Sequence, residues 1–290
     1  MRRPTSAVAG TIPLMRRPAS LRLVATAAAL VLAGSLAACS SDGGSGADGA
    51  AVAPVTDGKI TVATGEPAYG PWVEDDDPTS GKGYEAAVAY AVAEKLGYDD
   101  SDVVWVRTTF DEAIAPGPKT FDLNLQQFSI TDQRKKAVDF SPAYYETRQA
   151  VVTLPGTSAA DATSIADLKG LAIGAQSGTT SFTAAEDAID PEGGVQAYNS
   201  NDDAKAALEA GQVDAIVLDV PTATYFVEGG VVLGQLPATD GASDQLGIVL
   251  PLGSSLTADV TKAVDDLRAD GTLAELQKQW LADYDVKELS

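Results

Sequence analysis

Twice along this chain, short strand-like apolar runs alternate with segments whose apolar residues recur at helical spacing. That alternation limits the chain to an α/β fold. In the first set, KITVAT (59–64), DVVWVRT (102–108) and FDLNLQ (121–126) read as strands. Between them, YEAAVAYAVAEKLG places Tyr84, Val88, Ala91, Val92 and Leu96 on one helical face, with Gly97 positioned to end it. TFDEAIA is a short helix cut off by Pro116 and Pro118. The second set runs from LAIGA (171–175) through the helix TSFTAAEDAI and the capped helix NSNDDAKAALEAG to the buried strand VDAIVL (213–218). DVPTATYFVEGG then turns into a helix, GIVLPL is a strand, and two helices separated by Gly271 finish the chain. The rhythm predicts largely parallel sheets, and about 230 folded residues in two such sets predict two lobes rather than one large core.

In open α/β sheets ligands bind beyond the carboxyl ends of the strands. The loops that matter are therefore GEPAYGPW, QQFSITDQR, QSGTT and LDVPT, all rich in polar or aromatic groups. One of them leads into Arg134, Lys135 and Lys136, a basic cluster in a chain with 20 basic and 41 acidic residues.

The first 38 residues hold five arginines and no acid, and end in the apolar run LVATAAALVLAGSLAA before Cys39. A basic start, a short apolar stretch and small residues before a cleavage point describe a secretory signal, too short and Ala/Gly-rich for a membrane span. The opening MRRPTS recurs as MRRPAS at Met15, and a start there leaves a signal of ordinary length. Without residues 1–38 the chain has 15 basic residues against 41 acidic, a net of −26, a surface that repels nucleic acid and anionic lipid. Cys39 is the sole cysteine, so no internal disulfide can form, and with no histidine the chain offers neither a Ser-His-Asp triad nor an ordinary zinc site.

LAAC followed by SSDGGSGADGA resembles a bacterial lipobox, which implies cleavage before Cys39, acylation of its sulfur and a flexible tether over 39–58. The segments FDLNLQQFSITDQRKKAVDFSPAYY, LKGLAIGAQSGTT, GQVDAIVLDVPTATYF and VDDLRADGTLAELQKQW resemble, in order, the amino-acid-binding extracellular solute-binding proteins of ABC importers, solute-binding family 3. The resemblance covers roughly 59–283. It implies a two-lobed periplasmic-binding-protein-like (type II) fold, two α/β lobes joined by two crossover strands near Glu146–Gln149 and Ser243–Gly247. Lobe 1 would comprise 59–146 and 245–290, and lobe 2 would comprise 147–244. It also implies a monomeric, lipid-anchored receptor facing outside, which takes no cofactor and hands an amino acid to a permease and its ATPase.

The resemblance assigns Arg134 to the ligand α-carboxylate, with Ser129 beside it. A guanidinium supplies a planar two-pronged donor that lysine lacks, so Lys135 and Lys136 are left as solvated residues. Thr179 and Thr180 open a helix whose free N–H groups favour anions, and Asp219 matches the acid that holds the α-ammonium, although Asp before Pro is also a common helix cap. Tyr69 and Trp72 correspond to the family's aromatic wall. Two departures bear on side-chain specificity: Gln126 and Gln127 replace small residues, and GEPAY is one residue longer, with Glu66 where Asp is frequent. Gln127 alternates with Ser129 and shares its face; Glu85, at the start of the first helix, is a weaker candidate. Acids near aromatic residues favour a polar or cationic ligand side chain, and the glutamines allow an amide. A sensing lipoprotein and a dehydratase-like enzyme on the same fold remain as alternatives.

Cys39→Ser is expected to abolish lipid labelling and to move the protein from the membrane fraction to the soluble one. A substituted protein that stays membrane-bound would remove the lipobox.

Overall fold

The structure, a computed structural model, describes residues 52–238, 243–281 and 286–290; the signal, Cys39 and the tether through Ala51 lie outside the described residues. In chain order the first lobe contains β1 (Ile60–Thr64), α1 (Tyr84–Lys95), β2 (Val103–Arg107), α2 (Phe110–Ile114), β3 (Leu123–Asn124) and β4 (Val138–Thr147). The second contains β5 (Gln149–Thr153), α3 (Ile165–Leu168), β6 (Ile173–Gln176), α4 (Thr180–Ala184), β7 (Val195–Tyr198), α5 (Asn201–Glu209), β8 (Ala215–Asp219), α6 (Val220–Phe226) and β9 (Val231–Gln235). The chain then returns to the first lobe through β10 (Asp244–Pro251), α7 (Thr257–Ala269) and α8 (Thr272–Trp280).

Each lobe is built on a five-stranded sheet, in the orders β2-β1-β3-β10-β4 and β7-β6-β8-β5-β9. In each, the first three strands pair in parallel, the fourth runs against them, and the fifth pairs antiparallel with the fourth, so the sheets are mixed rather than largely parallel. The reason is the traffic between lobes. The fourth strand of each sheet (β10, β5) is delivered by a crossover from the other lobe, and the fifth (β4, β9) is the one that departs for it.

The central strands explain the apolar runs. All five residues of β1 and the first four of β8 are buried, as expected of strands covered on both faces. Tyr84, Val88 and Val92 of α1 pack into the lobe 1 core with Ile60, Val62 and Ile248, while Ala91 and Leu96 lie at its margin. β4, the longest strand, escapes a pattern search because Pro142 interrupts it. Pairing with β10 breaks register there, and the Ser141 hydroxyl accepts from the Ile248 N–H at 2.9 Å.

Both chain ends depart from expectation. The tether is pinned over its described end: Val52 N–H donates to Gly253 O at 2.9 Å. The buried carboxylate of Asp122 accepts from Val55 N and Thr61 N, each at 2.7 Å. Residues 286–290, read from the sequence as part of lobe 1, lie instead along the free edge of β9 in lobe 2. Gln235 N donates to Lys287 O and Leu289 N to Gln235 O, both at 2.9 Å, and Leu289 is 4% exposed within the lobe 2 core. The driving force is apolar burial, for which Gly234 leaves room: a Cβ there would come within 2.7 Å of Leu289 Cγ. The chain therefore passes between lobes three times.

Among the described residues no helix is long and apolar enough to cross a membrane. Leu289→Ala is expected to lower stability by about 2–3 kcal/mol in urea denaturation, whereas Glu288→Ala, which removes only the exposed pair with Arg148, should cost less than about 1 kcal/mol. Equal effects would mean that the tail is held by charge rather than by packing.

Candidate functional site

A cleft of about 190 Å³ opens between the lobes, and its walls are the carboxyl ends of all six parallel strands. Lobe 1 contributes the loops after β1 (Gly65–Tyr69), β2 (Thr108–Phe110) and β3 (Gln126–Ser129), with Arg134 behind them. Lobe 2 contributes the turn into α4 (Thr179–Ser181), the turn into α5 (Asn199–Asp202) and Asp219 at the end of β8. Gln149 and Leu246, from the crossovers, complete the lining.

Arg134 begins a single 3-10 turn, Arg134–Lys136, that separates it from its neighbours: Arg134 is 7% exposed, while Lys135 and Lys136 are exposed. Its Nη1 donates to Ser129 O at 2.7 Å, its Nη2 to Gly178 O at 3.0 Å, and its guanidinium sits 5.1 Å from the Phe110 ring centre. Burial lowers its pKa to about 10, offset in part by the carboxylate of Asp244. Among the described residues it has no ion-pair partner within 4.0 Å, so a buried cation faces the cleft with donors to spare.

Across the cleft Asp219 caps α6, accepting from Thr222 N at 3.0 Å and Thr222 Oγ1 at 2.7 Å. The capping and ligand-facing readings coexist, because Asp219 also lines the cleft. It keeps some solvent contact there yet lies deep among protein atoms, and burial pushes its pKa up to about 6. No lysine or arginine pairs with it among the described residues. Trp72, expected in the aromatic wall, is instead fully buried and absent from the lining. Its indole N–H donates at 2.8 Å to Thr222 Oγ1, the hydroxyl that in turn donates to Asp219, so lobe 1 steadies the lobe 2 acid through Trp72.

The remaining sequence candidates meet in the cleft. Ser129 Oγ lies 3.0 Å from Thr180 Oγ1 across the lobes, and Thr179 caps α4 by accepting from Phe182 N at 3.1 Å. Ser129 is fastened to the hinge strand β10 by backbone bonds on both sides, Gly247 N to Phe128 O at 3.0 Å and Ile130 N to Gln245 O at 2.7 Å. Tyr69 donates its hydroxyl to Asp202 at 2.6 Å and packs edge-on against Phe226, so it closes the mouth by joining lobes as well as lining the cavity. Glu66 lines the rim, exposed. Gln127 lines the wall but is turned toward the buried Glu85 carboxylate, which accepts from its backbone N at 2.8 Å, from its side-chain amide and from the Tyr144 hydroxyl. Glu85 is thus a support outside the lining, and burial raises its pKa to about 7.

Sequence reasoning missed Phe110, Asp202, Gln149 and Asp244. Gln149 ties the two crossovers together. It donates to Asp244 at 2.6 Å and accepts from Ser181 Oγ at 2.6 Å, at the start of α4. Phe110 carried a usable signal, an aromatic residue three positions past a strand end; the others come to the site through pairings no local pattern encodes.

The model of the bacterial extracellular solute-binding proteins, family 3, matches residues 60–283. The L-arginine-binding protein of Pseudomonas aeruginosa is 32% identical over 231 residues, spanning 76% of this chain and 87% of that one. Among solved structures, an ancestral arginine-binding protein bound to glutamine superposes with a TM-score of 0.65 at 29% identity, covering 78% of this chain and 99% of its own. An ancestral amino-acid-binding protein described as a precursor of cyclohexadienyl dehydratase gives 0.63 at 26% identity, covering 78% and 96%. The chain belongs to family 3 of the bacterial extracellular solute-binding proteins, and its fold is the two-lobed type II fold of that group.

Glu85 and Asp219 have folded pKa values above their ordinary ones, so the native state holds these protons more tightly than the unfolded chain does. Their contribution to stability is complete below the ordinary carboxylate range and is lost as pH rises through about 6 to 7. The melting temperature of the unliganded protein is therefore expected to rise as pH falls from about 7.5 to 5, and to rise less in Asp219→Asn. A flat or inverted profile would contradict the charge assignment of the cleft.

Proposed function

We propose that this chain, a member of family 3 of the bacterial extracellular solute-binding proteins, is the receptor of an ABC importer. It closes on one free α-amino acid and presents it to a permease and its ATPase, while lipid on Cys39 holds it at the outer face of the membrane. The observation that carries this reading is the pairing of Arg134 and Asp219 on opposite walls of one cleft. Each is a desolvated charge without an ionic partner among the described residues, and the two signs match the two ends of an amino acid. An α-carboxylate on Arg134 and an α-ammonium on Asp219 would neutralise both at once.

Ligand binding and lobe closure support one another. Arg134, Ser129, Tyr69 and Trp72 each make a hydrogen bond from lobe 1 to lobe 2, so the charged groups meet only in the closed arrangement. A relative named for L-arginine and an ancestral arginine-binding protein bound to glutamine support a polar or cationic side chain on the ligand. Glu66 and Asp202 at the cleft agree with that choice.

A dehydratase-like enzyme on the same scaffold takes support from the ancestral precursor. The binding reading is favoured because Arg134 and Asp219 are occupied in charge recognition and the chain contains no histidine for proton transfer.

Arg134→Ala is expected to weaken binding by about 2–5 kcal/mol, a loss of roughly thirty- to several-thousand-fold in calorimetry with the twenty common amino acids. Lys135→Ala and Lys136→Ala should change affinity by less than about tenfold, a difference under about 1.4 kcal/mol. Asp219→Asn should weaken free amino acids more than analogues without the amine. Equal losses at 134, 135 and 136 would replace the clamp with a diffuse basic patch.

A further inference from the structure

We propose that Gln126 reads the side chain of the ligand: its amide oxygen accepts a hydrogen bond from a side chain that ends in N–H donors. The inference rests on the amino-acid reading of the cleft and extends it to the far end of the ligand. It starts from an unused acceptor. Gln126 lines the cleft at the carboxyl end of β3, and its Oε1 is shut off from solvent with no hydrogen-bond partner among the described residues. Buried acceptors are almost always paired, because an unpaired one forfeits its hydration with nothing in exchange.

The surrounding residues seat this amide deliberately. Position 65 is glycine, and a Cβ there would stand 2.9 Å from Gln126 Nε2, so a side chain at 65 would push the amide from its seat. The next residue, Gln127, has φ +51, a left-handed conformation that glutamine rarely adopts. Glu85 holds it there by accepting from both its backbone and its side-chain amide. The two consecutive glutamines are thus divided in role. Gln127 is bound back to its own lobe, and Gln126 is left at the cleft wall with a free oxygen.

Asn124, fully buried at the end of β3, donates an amide N–H to Thr108 Oγ1 at 2.8 Å, and its own Oδ1 has no partner among the described residues. Glu66 contributes a carboxylate to the same wall of lobe 1. A guanidinium, an ammonium or a carboxamide would supply what the Gln126 oxygen lacks. A carboxylate-tipped ligand would set acceptor against acceptor, and an aliphatic one would leave Gln126 unpaired. Sites built to hydrogen-bond a ligand group reject analogues without it far more strongly than apolar pockets do.

The test is calorimetry of the mature protein with arginine, lysine, glutamine, glutamate and leucine, for the wild type, Gln126→Leu and Gln126→Glu. The wild type should bind at least one of arginine, lysine and glutamine more tightly than glutamate or leucine. Gln126→Leu should weaken that ligand at least tenfold and narrow its advantage over leucine. Its unliganded melting temperature should not fall, since an unpaired polar atom has been removed. Gln126→Glu should favour arginine and lysine over glutamine relative to the wild type. A wild type that prefers glutamate or leucine, or a Gln126→Leu protein with unchanged affinities, overturns the role of Gln126 and leaves the amino-acid receptor standing. A wild type that binds no amino acid brings down both.

Discussion

The structure is organised around a guanidinium removed from water. Burying a cation is unfavourable unless its donors are met, and Arg134 meets two of them with carbonyl oxygens from different lobes, Ser129 in lobe 1 and Gly178 in lobe 2. The second bond exists only while the lobes are closed. The Phe110 ring covers one side of the same group. Closure therefore desolvates the charge and partly satisfies it, leaving the remaining donors for an anion inside the cleft. Opposite it, Asp219 is held by its own helix start through Thr222 and by lobe 1 through Trp72, so the acid too is steadied by closure. A zwitterion fits this geometry because it supplies both missing charges together and leaves no net charge behind.

Much of this was readable in the chain. The alternation of strand and helix patterns predicts two α/β units, and the four loops named from strand ends all reach the cleft, joined there by the loops after β2 and β7. Arg134 stood out because a basic cluster in so acidic a chain calls for a reason, and burial singles it out from Lys135 and Lys136. What could not be read is where non-local pairing decides. An aromatic residue in a loop looks the same whether it faces a ligand or the core. Trp72 was read outward, yet its ring completes the packing of Tyr84 and Tyr145 and its N–H reaches Thr222. The antiparallel strands were hidden for a related reason. β4 carries a proline and β5 is a short apolar run, and which strands they pair with, and in which direction, depends on where the chain goes next rather than on local composition.

The crossovers do more than connect. Gln149 begins β5 and Asp244 begins β10, and their side chains bond to each other at 2.6 Å where the two strands pass between lobes. Gln149 also accepts from Ser181 at the start of α4, so the hinge is bonded to the helix turn that presents Thr179 and Thr180. On the lobe 1 side, Ser129 is zipped to β10 beside Leu246. Both half-sites are thus mounted on the hinge itself, and a rotation there moves ligand groups directly. Asp244 lies near Arg134 as well, where burial raises its pKa and the guanidinium lowers it. In the proposed complex the hinge carboxylate and the ligand carboxylate would share one cation.

The C-terminal tail limits how far that rotation can go. Leu281 belongs to the lobe 1 core at the end of α8, and by residue 286 the chain has reached lobe 2, where Val286 packs and Leu289 is buried. Five peptide steps span at most roughly 17 Å when fully extended. Two points on different lobes, away from the hinge, are therefore tethered within that distance as long as Leu289 and the bonds to Gln235 hold. A wide opening must either stay inside this limit or strip the tail from β9, exposing Leu289 and breaking its pairing with Gln235. The tail stays docked through small rotations and resists large ones. A docked tail would thereby favour the geometry in which Arg134 reaches Gly178, and less reordering would be left for a ligand to bring about.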